Sequence, residues 1–174
     1  MAYTLDQFCT DSHDLLLQGS DDTQLTQIKS NLVNLLNNPD FVSETYSDDT
    51  PIGKRVLYHD TDTDFYVLAH VQAAGKSGNP HSHGTAWAIY GNITGATNIT
   101  IWRRANAADA DHAELEVADR HTITPGTAQV YGPGAIHSTQ HPEKAWVIRI
   151  TGCDLDHMPR YRFDPKKDKI LAEA

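Results

Sequence analysis

The chain has 174 residues, 39% hydrophobic and 21% charged, the size and composition of one ordinary folded domain, which excludes fibrous, collagen-like and wholly disordered chains. Acidic residues outnumber basic ones 23 to 14, for a formal charge of −9, and such a field repels phosphate backbones and anionic lipid, so neither nucleic acid nor a membrane is expected as a partner. No apolar run approaches the roughly 20 residues of a membrane helix, the start MAYTLDQF lacks the basic and apolar regions of a signal peptide, and the two distant cysteines, Cys9 and Cys153, read as free thiols, so the expected location is cytoplasmic.

Leu5, Phe8, Ser12, Leu15 and Leu16 recur at helical spacing and Gly19 supplies a stop, which predicts a first helix. Asp21 with Gln24 resembles a capping box, and Leu25, Ile28, Leu32, Leu35 and Leu36 then form an apolar stripe that ends at Asn37, Asn38 and Pro39, a second helix. Beyond Pro51 the pattern changes to short β-rich segments at 54–59, 65–73, 83–93, 98–103, 120–124, 128–131 and 145–151, separated by Gly, Pro, Asn and Asp turns. The polar, small stretch 105–112 reads as a mobile excursion. The segment after Gly152 is charged and broken by proline, which predicts a surface wrap and a short terminal helix. A mainly β sandwich or barrel with N-terminal α-helices follows. Residues 1–50 form a helical cover, 51–152 the barrel, and 153–174 a tail packed on the same domain.

Ten histidines are the unusual feature. His81 and His83 form an HxH pair; residues i and i+2 of a strand point to one face, so both rings can meet at a point. In a histidine-rich chain such a pair arises readily by chance and is weak by itself. A second element strengthens it: Tyr131, Gly132, Pro133 and Gly134 reverse the chain and deliver His137 at the start of the next strand. Three imidazoles then converge, a donor set that suits Fe(II), Zn, Cu, Ni or Mn without choosing among them.

These two elements resemble the two-part signature of the cupins. Gly75 stands six residues before His81, and Pro133, Gly134 and His137 match the second half, with Gly126 displaced by one. Ala88 stands where the family has a glutamate ligand and His141 where it has asparagine, and a carboxylate-free, three-histidine site is similar to that of the thiol dioxygenases. The stretch from KRVLYHD through HSHGTAWAIYG to TIWRR is similar to the cysteine and 3-mercaptopropionate dioxygenases, and the likeness runs from about Lys54 to Gly152. The family's Ser-His-Tyr triad on the last strand is missing; Val147, Arg149 and Thr151 hold its places.

The resemblance implies a cupin double-stranded β-helix, a jelly-roll barrel. It implies a mononuclear metal on His81, His83 and His137, Fe(II) first, with Zn, Ni or Mn as alternatives. It also implies transfer of O2 to a small carboxylated thiol, giving a sulfinate. Arg55, or Arg149 as a second cation, would hold the substrate carboxylate; Arg55 could instead pair with Asp60 or Asp62. Trp87, Ile89 and Tyr66 are expected as an apolar lining, His70 as a hydrogen-bonded core residue and His141 as exposed. A metal cupin acting on a non-thiol small acid, or one that binds metal or metabolite without turnover, is the alternative. The edges and tail of such a barrel would support a homodimer.

Overall fold

The computed structural model describes residues 2–107, 110, 112–158, 160–164 and 169–173. Three helices open the chain: α1 (Leu5–Leu16), α2 (Asp22–Leu36) and α3 (Pro39–Thr45). Thr4 and Gln7 form a reciprocal capping box at α1, and Asp21 accepts from the backbone N–H groups of Thr23 and Gln24 at α2. Pro39, expected only as a stop, instead begins α3. Proline is tolerated at the first helical position, where its missing N–H would have no partner, and the Asn38 side chain accepts from Asp40 N–H at 3.0 Å.

Eleven strands follow among the described residues. They are β1 (Gly53–His59), β2 (Tyr66–Gln72), β3 (His81–Ser82), β4 (Ala88–Thr94), β5 (Thr97–Arg104), β6 (Leu115–Ile123), β7 (Ala128–Tyr131), β8 (Ile136–Gln140), β9 (Ala145–Thr151), β10 (Arg160–Asp164) and β11 (Lys169–Glu173). One sheet runs β1-β2-β9-β4-β7 and the other β11-β10-β3-β8-β5-β6, all antiparallel. Setting aside β1 and the β10–β11 pair, the remaining orders 2-9-4-7 and 3-8-5-6 are those of two Greek keys facing each other, the jelly roll that was expected.

Two expectations are corrected. The run at 83–93 is split, because Gly84 at φ +59 turns the chain between β3 and β4. The C-terminal segment forms a hairpin rather than a surface wrap and helix. There β10 pairs with β3 (Tyr161 with Ser82, Arg162 with His81), and Phe163 is buried while Tyr161 and Arg162 are exposed. A two-residue β3 leaves an edge that needs a partner, and β10 supplies one. The excursion expected at 105–112 lies in part outside the described residues. No helix among the described residues is long and apolar enough to cross a membrane.

The first sheet has two unlike faces. Val67, Ala69 and Val71 of β2, Ile89 of β4, and Ile148 and Ile150 of β9 point outward and join Phe8, Leu25, Ile28, Leu32 and Leu35 of the helices in one apolar core. Each fully buried side chain of this size contributes roughly 1.5–3 kcal/mol. Gly91 lets α2 approach closely, since a Cβ there would stand 2.5 Å from Leu36 Cδ1. Residues of the opposite parity, including His70, Tyr90 and Arg149, face the space between the sheets.

The β4–β5 turn provides a test of this packing. Gly95 has φ +65, and a Cβ on it would lie 2.6 Å from the Lys144 carbonyl oxygen, whereas Gly78 has nothing within 4 Å. Gly95→Ala is expected to lower urea-unfolding stability by about 1–3 kcal/mol, with Gly78→Ala within about 0.5 kcal/mol of the parent. Equal effects would show that the turn is not held as described.

Candidate metal centre

His81 on β3 and His137 on β8 are direct cross-strand partners, and His83 follows His81 by two residues, so all three rings enter the barrel at one level. Their ring centroids lie 4.6–5.2 Å apart. One ligand nitrogen from each falls within 4.8 Å of the others. The Asn79 carbonyl lies 3.1 Å from His81 Nδ1. An N–H there donates to it and leaves Nε2 with its lone pair toward the cluster, the arrangement typical of metal-bound imidazole. Burial, then the neighbouring His81 and His83, pushes the His137 pKa down to about 2, so this ring is neutral and ready to ligate at any ordinary pH.

The residues present therefore fit a metal. Three convergent imidazole nitrogens suit Fe(II), Zn, Ni or Mn, and among the described residues no carboxylate joins the group. Ala88, fully buried, stands where the family resemblance has its glutamate.

Tyr90 is the residue the sequence reading missed. Its hydroxyl lies 2.9 Å from His83 Nε2 and 3.2 Å from His137 Nε2. A signal was present: Tyr90 is two residues beyond Ala88 and shares its face, so a large polar side chain stands beside the one that is too small to reach the cluster.

Beside the triad lies a cavity of about 100 Å³, room for several waters or one small organic molecule. Its walls are polar, with His70 and Gln72 from β2, Thr139 from β8, His141 and Arg149. Arg149 pairs in register with Tyr90 of β4 and Leu68 of β2, which fixes it on the inner face. Its guanidinium carbon stands 6.0 Å from the Tyr90 ring centroid, and its buried Nε has no hydrogen-bond partner among the described residues.

Several expected positions differ. Arg55 does not reach the triad. It pairs with Ala69, a residue of the helix-facing side, so it shares that face and its Nη2 donates to the Thr45 carbonyl at the end of α3. The alternative ion pair with Asp60 is not formed either, since Asp60 is taken by His13, Tyr58 and Thr63. Trp87 and Ile89 pack against the helices, and Tyr66 stacks on His59 at 3.9 Å, so none of them lines the cavity. His70, expected to be hydrogen-bonded in the core, faces the cavity with Nε2 buried and unpartnered among the described residues. His141, expected to be exposed, is 4% exposed and lies within 3.2 Å of Thr97 Oγ1. It is drawn inward because Gly75 N–H donates to its carbonyl and its own N–H donates to Lys76 O.

Burial, with Arg149 next in weight, lowers the His70 pKa to about 3, and burial lowers that of His141 to about 4. These folded values, like that of His137, lie below the ordinary histidine value. Their stabilising effect is therefore whole above about pH 6.5 and is lost as pH falls. Without metal, stability against urea is expected to drop on acidification below that point, each buried ring adding up to about 1.4 kcal/mol per pH unit. His70→Gln should flatten the slope, and an unchanged slope would place that ring in water.

No protein-family model and no curated protein matches the sequence. Among solved structures, the chain is similar to KdgF from Halomonas sp., at 18% identity and TM-score 0.46 over 63% of this chain and 88% of that one. It is also similar to a cupin superfamily protein from Desulfitobacterium hafniense, at 12% and 0.45 over 64% and 86%. The cupin domain of Schizosaccharomyces pombe Cnp3 is similar at 11% and 0.46 over 63% and 73%. At this level no activity, metal or substrate passes from these proteins to this chain, and nothing in them singles out the thiol dioxygenases. The jelly roll stands on the strand order itself.

Proposed function

We propose that the protein is a mononuclear metal-dependent oxygenase, with Fe(II) on His81, His83 and His137, that converts a small carboxylated thiol to its sulfinate with O2. The observation that carries this reading is Arg149 in the cavity wall, a guanidinium whose buried Nε lacks a protein partner among the described residues. A buried guanidinium N–H left without an acceptor is costly. A ligand carboxylate offsets that cost through paired, charge-assisted hydrogen bonds. The thiol is supported by the donor set: with no carboxylate joining the triad among the described residues, the charge of a divalent metal would stay at least partly uncompensated, which favours an anionic donor such as a thiolate.

When bound, ferrous iron supplies the redox chemistry by which both atoms of dioxygen pass to sulfur, RS⁻ + O2 giving RSO2⁻. The chain's own residues bind and orient. Arg149 fixes the carboxylate end, which sets the sulfur against the triad and converts an encounter into a positioned pair. His70 and His141 are neutral and offer hydrogen bonds without a second fixed charge, so Arg149 supplies the attraction for the anion. The cavity of about 100 Å³ is sized for a small substrate.

Metal analysis of protein purified without oxygen, followed by oxygen uptake with cysteine, 3-mercaptopropionate and cysteamine, tests this function. Uptake with the two carboxylated thiols and iron in the protein is the expected result. Uptake only with a non-thiol acid would assign another metal-dependent oxidation, and bound metal without uptake would leave a binding protein. His137→Ala is expected to abolish stoichiometric metal binding while the far-ultraviolet circular dichroism is retained. Arg149→Met should raise KM about 10- to 100-fold for carboxylated thiols, the loss of one charge-assisted pair, and leave cysteamine unaffected. Arg55→Ala should leave both unchanged; discrimination lost in that variant instead would return the anchoring role to Arg55.

A further inference from the structure

The geometry points to Tyr90 as a fourth protein ligand of the metal, its phenolate oxygen joining the three imidazole nitrogens; this rests on the reading of the triad as a metal site. Metal–ligand bonds of about 2.0–2.1 Å place neighbouring ligand atoms about 2.8–3.4 Å apart around a single ion, from octahedral to tetrahedral angles. Tyr90 Oη stands 2.9 Å from His83 Nε2 and 3.2 Å from His137 Nε2, the spacing of atoms that share one cation. A tyrosine that merely supported ligand histidines would meet the nitrogen turned away from the metal. Here one oxygen meets the Nε2 atoms of two rings. In His81 it is Nδ1 that is held by backbone, which leaves Nε2 for the same centre.

Hydrogen-bond arithmetic favours the same conclusion. A phenol has one proton, which can satisfy one imidazole lone pair. A second nitrogen at 3.2 Å must then carry a proton of its own, or the two lone pairs must share a cation. A metal held there would take lone pairs from both nitrogens and from the oxygen, whose proton would go to solvent. The oxygen's position is fixed by packing. The Tyr90 ring lies 5.1 Å from that of Tyr131 and meets His137 edge-on at 5.5 Å, and the Arg149 guanidinium carbon stands 6.0 Å from its centroid.

One consequence concerns substrate. A fourth protein ligand would leave a bound metal with less open coordination than the three histidines alone, so the substrate carboxylate would be held by Arg149 rather than by the metal.

The test uses the full chain reconstituted with ferrous sulfate under nitrogen, then oxidised with a one-electron oxidant and desalted. Tyrosinate bound to ferric iron gives a broad visible charge-transfer band and resonance-enhanced phenolate ring modes. Both are expected in the parent and in Tyr131→Phe, and both should vanish in Tyr90→Phe, which keeps the packed ring. Tyr90→Phe should also bind ferrous iron at least ~10-fold more weakly by calorimetry. A parent protein that holds one iron without the band, or a band that survives in Tyr90→Phe, overturns the assignment and leaves the histidine site intact. A parent protein that takes up no iron overturns both readings.

Discussion

Strict alternation along β2, β4 and β9 is the constraint on which the rest of the molecule depends. Each strand is covered on both sides, by the helices outside and by the second sheet inside, so every residue must suit one of two buried environments. Odd positions of β2 (Val67, Ala69, Val71) fill the apolar layer under α2, while Leu68, His70 and Gln72 turn toward the cavity. A slip of one residue would drive the histidine and the arginine into leucines and empty the cavity of its chemistry. The register is held from outside. Tyr46, at the end of α3, places its hydroxyl between the two strands, accepting from His70 N–H at 3.1 Å and donating to the Val147 carbonyl at 2.9 Å. The helical cover therefore bears on the site without touching it.

The interior is polar yet carries little fixed charge. Burial keeps His70, His137 and His141 in their neutral forms. Those rings can accept a metal or a hydrogen bond without opposing Arg149. A chain of net charge −9 would repel a small anion at long range, but that field is screened within about 10 Å at ordinary ionic strength. At the cavity wall the local positive charge is that of one guanidinium, Arg149.

The position of Tyr90 connects the two parts. It lies across from Arg149 in the sheet and against His83 and His137 in space, so one side chain touches both the cationic wall and the histidine cluster.

The sequence by itself determined the local features. Helical periodicity and caps located α1 and α2, turn residues located most strands, and the HxH spacing with the Pro133-Gly134 reversal picked out the three histidines that meet. Such features depend on neighbours a few residues away, and hydrophobic period and turn chemistry record them directly. The face that each inner residue would occupy was decided only by the tertiary structure. Arg55 and Arg149 read alike in the sequence, yet Arg55 follows Ala69 to the helix side while Arg149 follows Tyr90 to the inside. The same holds for His141 in the cavity wall, for Tyr90 against the triad and for the C-terminal hairpin that completes the edge at β3. In each case the partner lies far along the chain, and which of two faces is buried against which layer is settled by how the sheets and helices stack.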